Sequence, residues 1–220
     1  MPRVLITGAE RGLGLALARA FTDGGWSVAA LCREISPEIE ALAPEFLFDG
    51  IDVSNAAHVR RAAAEMGDAS LDALINNAGI MIEDDIDGID IAAVRRQFEV
   101  NALGPLNVVL AFRGRLTRGA KVVQITSRLG SIGDNESGGD YGYRMSKAAQ
   151  NMLTANLAHD LGSDGIVAVA VHPGIVATAM TEGRGTAADE VARDIFALTG
   201  RLGTGDAGRF LDRHGAAIPW

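Results

Sequence analysis

The chain has 220 residues, 48% hydrophobic and 22% charged, with a formal net charge of −8. That length suits one domain with a sizeable core, and the acidic balance argues against nucleic acid or an anionic membrane as partner. A single cysteine, Cys32, excludes an internal disulfide and suits a reducing compartment.

The segment "MPRVLITGAE" reaches a glycine turn after one short apolar run, too soon for a signal peptide. "RVLIT" (3–7) reads as a strand and "LGLALARAFT" (13–22) as a helix. "SVAALC" (27–32) and "EFLFDGI" (45–51) read as strands on either side of a weak helix after Pro37. Residues 55–66 form a helix with Ser54 as its expected N-cap. "LDALIN" (71–76) is a fourth strand, 89–116 contains a long helix, and "AKVVQIT" (120–126) is a fifth strand. Residues 143–161 are helical, "GIVAVAVH" (165–172) is a sixth strand, and 187–198 is a short helix. The longest uncharged run, 165–181, is too short to span a bilayer and is broken by Pro173 and Gly174. A soluble, cytoplasmic protein is expected.

Strands alternating with helices imply a parallel sheet covered on both faces, because parallel neighbours need crossover connections. The near-continuous apolar strands agree with that burial. The expected fold is a Rossmann-type, doubly wound α/β/α sandwich, with residues 1–220 as one domain.

"TGAERGLG" (7–14) follows the first strand and opens the first helix. Glycines at 8, 12 and 14 permit a tight turn and let a diphosphate approach the helix N-terminus, where free N–H groups and the helix dipole favour anions. A plain strand-to-helix turn is the alternative. Four further motifs follow in order: "NNAG" at 76–79, Asn101, Ser127, and Tyr143 to Lys147, with "PGIVAT" at 173–178 completing the set. The set resembles the short-chain dehydrogenase/reductase family, in its compact single-domain form, nearly end to end. "SRLGSIGDN" (127–135) and "IPW" (218–220) are similar to the branch holding the C-factor signalling protein and the sniffer-type carbonyl reductases.

The resemblance implies a nicotinamide dinucleotide held by Gly8, Arg11, Gly12, Leu13 and Gly14 at the glycine turn. It implies Asp52 and Val53 at the adenine, and Asn77 and Gly79 beside the adenosine ribose. Pro173, Gly174, Ile175 and Thr178 would meet the nicotinamide end, where Tyr143 and Lys147 would also touch the cofactor. NAD-preferring members carry an acid at the end of the second strand; here that place holds Cys32, followed by Arg33. A guanidinium suits the 2′-phosphate of NADP(H), and Arg11 could add a second positive charge. NADP(H) is therefore expected over NAD(H), with Glu34 arguing mildly the other way. The alternative is that both arginines are simply solvated.

Hydride transfer to a carbonyl leaves an alkoxide, which needs a proton and hydrogen-bond donors. A phenol near an ammonium can supply the proton: at 4 Å and an effective dielectric of 20 the attraction is about 4 kcal/mol, equivalent to roughly three pKa units of lowering. Tyr143 and Lys147 are i and i+4 and share a helix face, whereas Tyr141 lies six residues from the lysine. Tyr143 is thus the candidate acid/base, and Tyr141 a pocket wall or packing residue. Ser127 resembles the family's substrate-orienting serine, with Ser131 as competitor because the stretch to Tyr143 is long. "GDNESGGD" (133–140) reads as a flexible insertion at the rim. Asn101 would kink its helix, hold a water beside Lys147 and extend a proton relay; its alternative is a mid-helix asparagine bonding a backbone carbonyl.

The acidic stretch "EDDIDGID" (83–90) lacks the glutamate a calcium loop needs at its twelfth position, where Val94 stands, and the four histidines have no zinc spacing. No metal is expected. The expected activity is NADPH-dependent interconversion of aldehydes or ketones and alcohols, on small or moderately bulky apolar substrates. The alternative is a nucleotide-binding signalling or interaction protein of C-factor type with little or no turnover. Ala148, Met152 and Ala155 give the last long helix a face that could pair copies into a homodimer or homotetramer, or simply be core.

Overall fold

A computed structural model describes residues 1–220. Strands β1 (Arg3–Thr7), β2 (Ser27–Leu31), β3 (Phe46–Phe48), β4 (Leu71–Asn76), β5 (Leu116–Ile125) and β6 (Val167–His172) are parallel neighbours in one sheet. A separate two-residue ladder pairs β7 (Val176–Ala177) with β8 (Thr186–Ala187). The last strand, β9 (Phe210–Asp212), closes the main sheet beside β6, giving the order β3-β2-β1-β4-β5-β6-β9. The three-residue β9 has too little periodicity to be read from sequence. It is held as an edge by register with Ala170–His172 and by stacking of Phe210 on Trp220 at 5.5 Å.

The connecting helices are α1 (Gly12–Asp23), α2 (Pro37–Ala41), α3 (Ala56–Met66), α4 (Ile91–Phe98), α5 (Gly104–Phe112), α6 (Tyr141–Gly162) and α7 (Ala188–Arg201). Side chains alternate across each strand, so Val4 and Ile6 join one core with Leu17, Phe21 and Ile195, while Leu5 joins the other with Val59, Val109, Phe112 and Leu157. Both faces of the sheet are therefore covered, as the unbroken apolar strands require. The chain runs outward from β1 to β3 and returns to β4 on the other side of β1. That reversal opens a crevice at the carboxyl ends of β1 and β4, where ligands bind in sheets of this kind.

Four sequence readings change in detail. The N-cap of α3 is Asn55, whose side chain accepts from Ala57 N at 2.9 Å; Ser54 is drawn away because its hydroxyl donates to Asp52 at 2.6 Å. The third strand keeps only three residues of the apolar run 45–51. The long helix within 89–116 is α4 and α5 joined by a π-helical turn, Glu99–Leu103. Finally, α6 begins at Tyr141 rather than Tyr143.

The start of α6 has an unusual cap. Asp140 precedes it in the left-handed region (φ +47°) and its own side chain caps nothing. Instead the Asp84 carboxylate accepts from Tyr141 N at 2.5 Å and Gly142 N at 3.1 Å, satisfying two orphan amides from a distant loop. Gly142 is buried against α4: a Cβ there would overlap Gln97 Nε2 and lie 3.2 Å from Val94 Cα and 3.3 Å from Asp84 Oδ2. Overpacking of this kind typically costs about 1–3 kcal/mol. Gly142→Ala is therefore expected to lower the thermal midpoint by several degrees, whereas Gly162→Ala, on the same helix with open space around it, leaves it unchanged or higher. Differential scanning fluorimetry of both variants checks this.

Candidate active site

The glycine turn adopts the backbone that its residues allow. Gly8 and Gly12 have φ of +64° and +54°, which other residues reach only with strain, and a Cβ on Gly14 would overlap the Gly8 carbonyl oxygen. The first turn of α1 contains no acidic side chain, and Arg11 at its N-cap is exposed with extended backbone. Its free amides and the absence of side chains at 8, 12 and 14 form a cradle that fits a dinucleotide diphosphate. Leu13 is buried beneath it. Thr7, which sequence reasoning passed over, accepts from Asn77 N and Ala78 N at 3.0 Å each. Asn77 Nδ2 donates back to Thr7 O at 3.0 Å and Gly8 O at 3.3 Å. The glycine turn and the "NNAG" turn are thus stitched into one floor.

At the end of β2, Cys32 is fully buried, and its thiol is pushed up to about 12 by burial, with Glu10 and Asp49 adding to the shift. It packs as an inert neutral group, and the first side chain to reach solvent after it is Arg33. Asp52 is half-buried. Burial opposes its ionisation, but hydrogen bonds from Ser54 and the guanidinium of Arg96 at 3.1 Å outweigh that and hold the carboxyl below its ordinary range. Arg96 carries no motif, and only the fold brings it to Asp52. Val53 is buried, and its carbonyl accepts from Asn107 Nδ2 at 3.0 Å.

The nicotinamide side is built by the loop after β6. Pro173 is buried, Gly174 has φ +80°, and the exposed Ile175 accepts through its carbonyl from Thr186 N at 2.8 Å. Thr178 faces the glycine turn: a Cβ on Gly12 would lie 3.4 Å from its methyl group. Arg213, also unmarked in the sequence, donates to Pro173 O at 3.3 Å while pairing with Asp194 at 3.1 Å, and so ties this loop to α7. After Thr178, Thr181 Oγ1 donates to Val176 O at 2.6 Å, and β8 pairs with β7.

Ser127, Tyr143 and Lys147 come together at the carboxyl end of β5. The Ser127 hydroxyl lies near enough to the phenol of Tyr143 to favour its ionised form, and it accepts from Leu129 N at 3.2 Å. Lys147 Nζ lies 5.8 Å from the centre of the Tyr143 ring. Tyr143 and Lys147 are 8% and 4% exposed, which reverses one expectation. The phenol is pushed up to about 12 by burial, with Ser127 pulling down and Asp140 pushing up; the lysine falls to about 7, again by burial. Desolvation disfavours both charged forms and dominates; two of the three Lys147 donors meet Ile125 O at 3.0 Å and Gln150 Oε1 at 2.9 Å.

Asn101 sits in the π turn, fully buried. Its Oδ1 accepts from Ile80 N and its Nδ2 donates to Ile80 O, both at 2.8 Å, and to Ser146 Oγ at 3.0 Å. The side chain therefore pairs with backbone while lying beside the lysine. The space of a Cβ on Gly79 would be 3.3 Å from Asn101 Oδ1 and 3.6 Å from Lys147 Nζ.

Ser131 is elsewhere. It is buried, donates to Pro219 O at 2.6 Å and accepts from Asp134 N at 3.1 Å, anchoring the 131–134 turn to the last residues. The loop over 133–140 is irregular and mostly exposed; within it Asn135 and Ser137 accept from Arg144, and Asp140 N donates to Asp84 O at 2.9 Å. His172, at the end of β6, accepts through Nδ1 from Arg128 N at 3.2 Å and fixes the turn that follows Ser127. Burial lowers this imidazole to about 4, with Arg128 adding to the shift, so it stays neutral. Tyr141 is half-exposed at the first position of α6, outside the Ser127–Tyr143–Lys147 cluster. No group of three or more His, Cys, Asp or Glu side chains is arranged to hold a metal ion, and no helix is long and apolar enough to cross a membrane.

A crevice with a diphosphate cradle at one end and a serine, a phenol and an amine at the other can transfer a proton to an oxygen beside a bound dinucleotide. The chain is 37% identical to the 1-hydroxy-2-glutathionyl-2-methyl-3-butene dehydrogenase of Rhodococcus sp. (strain AD45), over 100% of both chains. It is 39% identical to the C-signal protein of Myxococcus xanthus, over 74% of this chain and 100% of that one. Among solved structures, the carbonyl reductase Sniffer of D. melanogaster superposes with a TM-score of 0.91 at 28% identity, over 100% of both chains. An NADPH-bound carbonyl reductase from chicken fatty liver superposes at 0.89 and 30% identity, over 100% of this chain and 99% of that one. Residues 2–189 match the short chain dehydrogenase family, and the chain belongs to the short-chain dehydrogenase/reductase family of oxidoreductases.

Proposed function

We propose that residues 1–220 act as one cytoplasmic, NADPH-dependent unit that reduces aldehydes or ketones to alcohols, with Tyr143, Lys147, Ser127 and Asn101 as its acid–base set. The observation that carries this reading is the buried Tyr143 phenol, beside the Ser127 hydroxyl and with Lys147 Nζ 5.8 Å from its ring centre, one helical turn on. When bound, the reduced nicotinamide supplies the hydride. Ser127 and Tyr143 donate hydrogen bonds to the substrate oxygen, and Tyr143 gives up its proton as negative charge develops there. A phenol held at about 12 remains protonated at neutral pH and is still far more acidic than an alcohol, so it serves as a donor without being lowered. Lys147, one turn on, favours the phenolate left behind, and Asn101 holds the backbone of residue 80 against the lysine side of the crevice.

The cradle at Gly8, Gly12, Leu13 and Gly14 would hold the diphosphate, with Asp52 and Val53 at the adenine and Asn77 and Gly79 at the adenosine ribose. Pro173, Gly174, Ile175 and Thr178 would hold the nicotinamide carboxamide. The exposed guanidinium groups of Arg11 and Arg33, beside an uncharged Cys32, support the 2′-phosphate of NADP(H) as ligand. The NADPH bound in the chicken fatty liver neighbour supports the same choice. Exposed Ile132, Ile175 and Met180, on loops at the carboxyl edge of the sheet, support apolar carbonyl substrates. The C-signal relative supports a second reading, a signalling protein with little turnover, which NADPH oxidation with any of a panel of carbonyls would overturn.

Three outcomes are expected. Tyr143→Phe lowers kcat for carbonyl reduction by about 10²–10⁴-fold with NADPH binding retained, read as the loss of absorbance of NADPH. Activity depends on pH with opposite sign in the two directions. Reduction needs the charged Lys147, whose pKa of about 7 makes the rate fall from pH 6 to 9, whereas alcohol oxidation needs the Tyr143 phenolate, whose fraction rises throughout that range. Initial rates in both directions across that range measure it. Arg33→Ala weakens NADPH at least about tenfold while changing NADH little, the loss expected for one charge-assisted hydrogen bond, and fluorescence titration of both nucleotides reads the ratio.

A further inference from the structure

The residues beneath Lys147 form a polar chain that no part of the acid–base set requires for packing. Lys147 carries three N–H donors, of which one meets Ile125 O and one meets Gln150 Oε1. Gln150 is fully buried, and its own amide donates to Gln124 Oε1 at 3.3 Å. Gln124, on β5, is fully buried as well and stands in register with Asn76 of β4. Beyond that point Gln124 Nε2 and Asn76 Oδ1 have no partner, a donor and an acceptor complementary in sense on adjacent strands, while Asn76 Nδ2 donates to Pro105 O at 3.4 Å.

This is a costly place for amides. Two residues earlier on the same strand face, Leu74 and Val122 belong to the apolar core. Leucines at 124 and 150 would continue that core without burying polar groups. Three amides in line from the sheet to the buried lysine therefore point to a role at the lysine. Gln150 presents a carbonyl oxygen to Nζ, which interacts more strongly with an ammonium than with a neutral amine. It also fixes the rotation of the head group, so that with Ile125 O occupied the remaining donor is left toward Gly79 and the crevice.

The groups around Nζ leave the amide as the adjustable influence. Tyr143 faces it from α6, Asn101 from the π turn, Gly79 from the loop after β4, and Ile125 and Gln124 from β5, while Gly130 packs on the lysine backbone. Tyr143 is the one titratable group of these, and no carboxylate or second cation contributes to the behaviour of the lysine. We infer that Gln150 is a positioning residue for the acid–base set: held by Gln124, its amide oxygen orients the Lys147 ammonium and favours its charged form. The inference rests on the proposed role of Lys147 in carbonyl reduction.

The chain contains two lysines, Lys121 and Lys147, so a protein labelled with ¹³C at lysine Cε gives two titrating side-chain signals, assigned by Lys121→Arg. Gln150→Leu is expected to move the Lys147 midpoint about one pH unit to the acid side, the loss of one hydrogen bond to a charged group. The reduction rate above pH 7 then falls about tenfold, with the thermal midpoint not reduced. Gln150→Glu moves the midpoint and the falling limb of the rate profile to the alkaline side. If Gln150→Leu folds poorly because Gln124 has lost its donor, Gln124→Leu/Gln150→Leu restores an apolar layer and is expected to show the same acid shift. An unchanged Lys147 titration in the leucine variants, or shifts of one sign for leucine and glutamate, overturns the inference alone. A shifted titration with an unshifted rate profile overturns the catalytic reading of Lys147 and this inference with it.

Discussion

The close contact between α6 and α4 at Gly142 sets the geometry on which the site depends. Because no side chain stands there, the first turn of α6 rests directly on Val94 and Gln97, and Asp84 can reach the exposed amides of Tyr141 and Gly142. Tyr143 is the next residue on the same helix and Lys147 follows one turn beyond it, so their placement relative to the strand ends follows from that docking. Gly130 repeats the device from the other side: a Cβ there would lie 2.8 Å from the Lys147 backbone, so the turn carrying Ser127 seats on α6 itself. Two absent side chains thus bring a helix and a loop to a common centre, and hydrogen bonds from Asp84, His172 and Ser131 hold the parts in place.

Burial at that centre acts on two groups of opposite charge type with one result. Moving a phenol and an amine out of water disfavours phenolate and ammonium alike, which raises Tyr143 and lowers Lys147. Simple Coulomb attraction between the pair predicts the reverse for the phenol, and burial outweighs it. The set is therefore biased toward giving a proton rather than taking one at neutral pH.

Much of this architecture was legible in the sequence, and the limits have physical causes. Strand positions follow from apolar runs, and the choice of Tyr143 over Tyr141 follows from helical spacing, so both depend only on local pattern. The distant cap at Asp84, the pairing of Arg96 with Asp52 and the Thr7–Asn77 stitch link residues 44 to 70 positions apart, and no local rule marks them. Ser131 stands beside Ser127 as a candidate in the sequence, because the length of a loop does not reveal which of its serines turns inward; in the fold Pro219 O and Asp134 N engage its hydroxyl. The sign of the phenol shift was missed for a related reason: spacing supplies a neighbouring charge, but desolvation is a property of the assembled core.

The π turn at Glu99–Leu103 has a geometric consequence for the helices on either side of it. A π turn holds one residue more than the regular turn it replaces, so α5 is rotated by roughly 100° relative to a straight continuation of α4. That phase offset lets one continuous rod serve two unrelated surfaces. Ahead of it, Gln97 is aimed at the backbone of Ile82, and within it Asn101 is aimed at that of Ile80; behind it, Val108, Val109 and Phe112 are aimed into the core. Repaired to a uniform helix, the same residues could satisfy one of these partners but not both. The irregular turn is thus an angular adapter between the part of the helix that packs and the part that reaches the site.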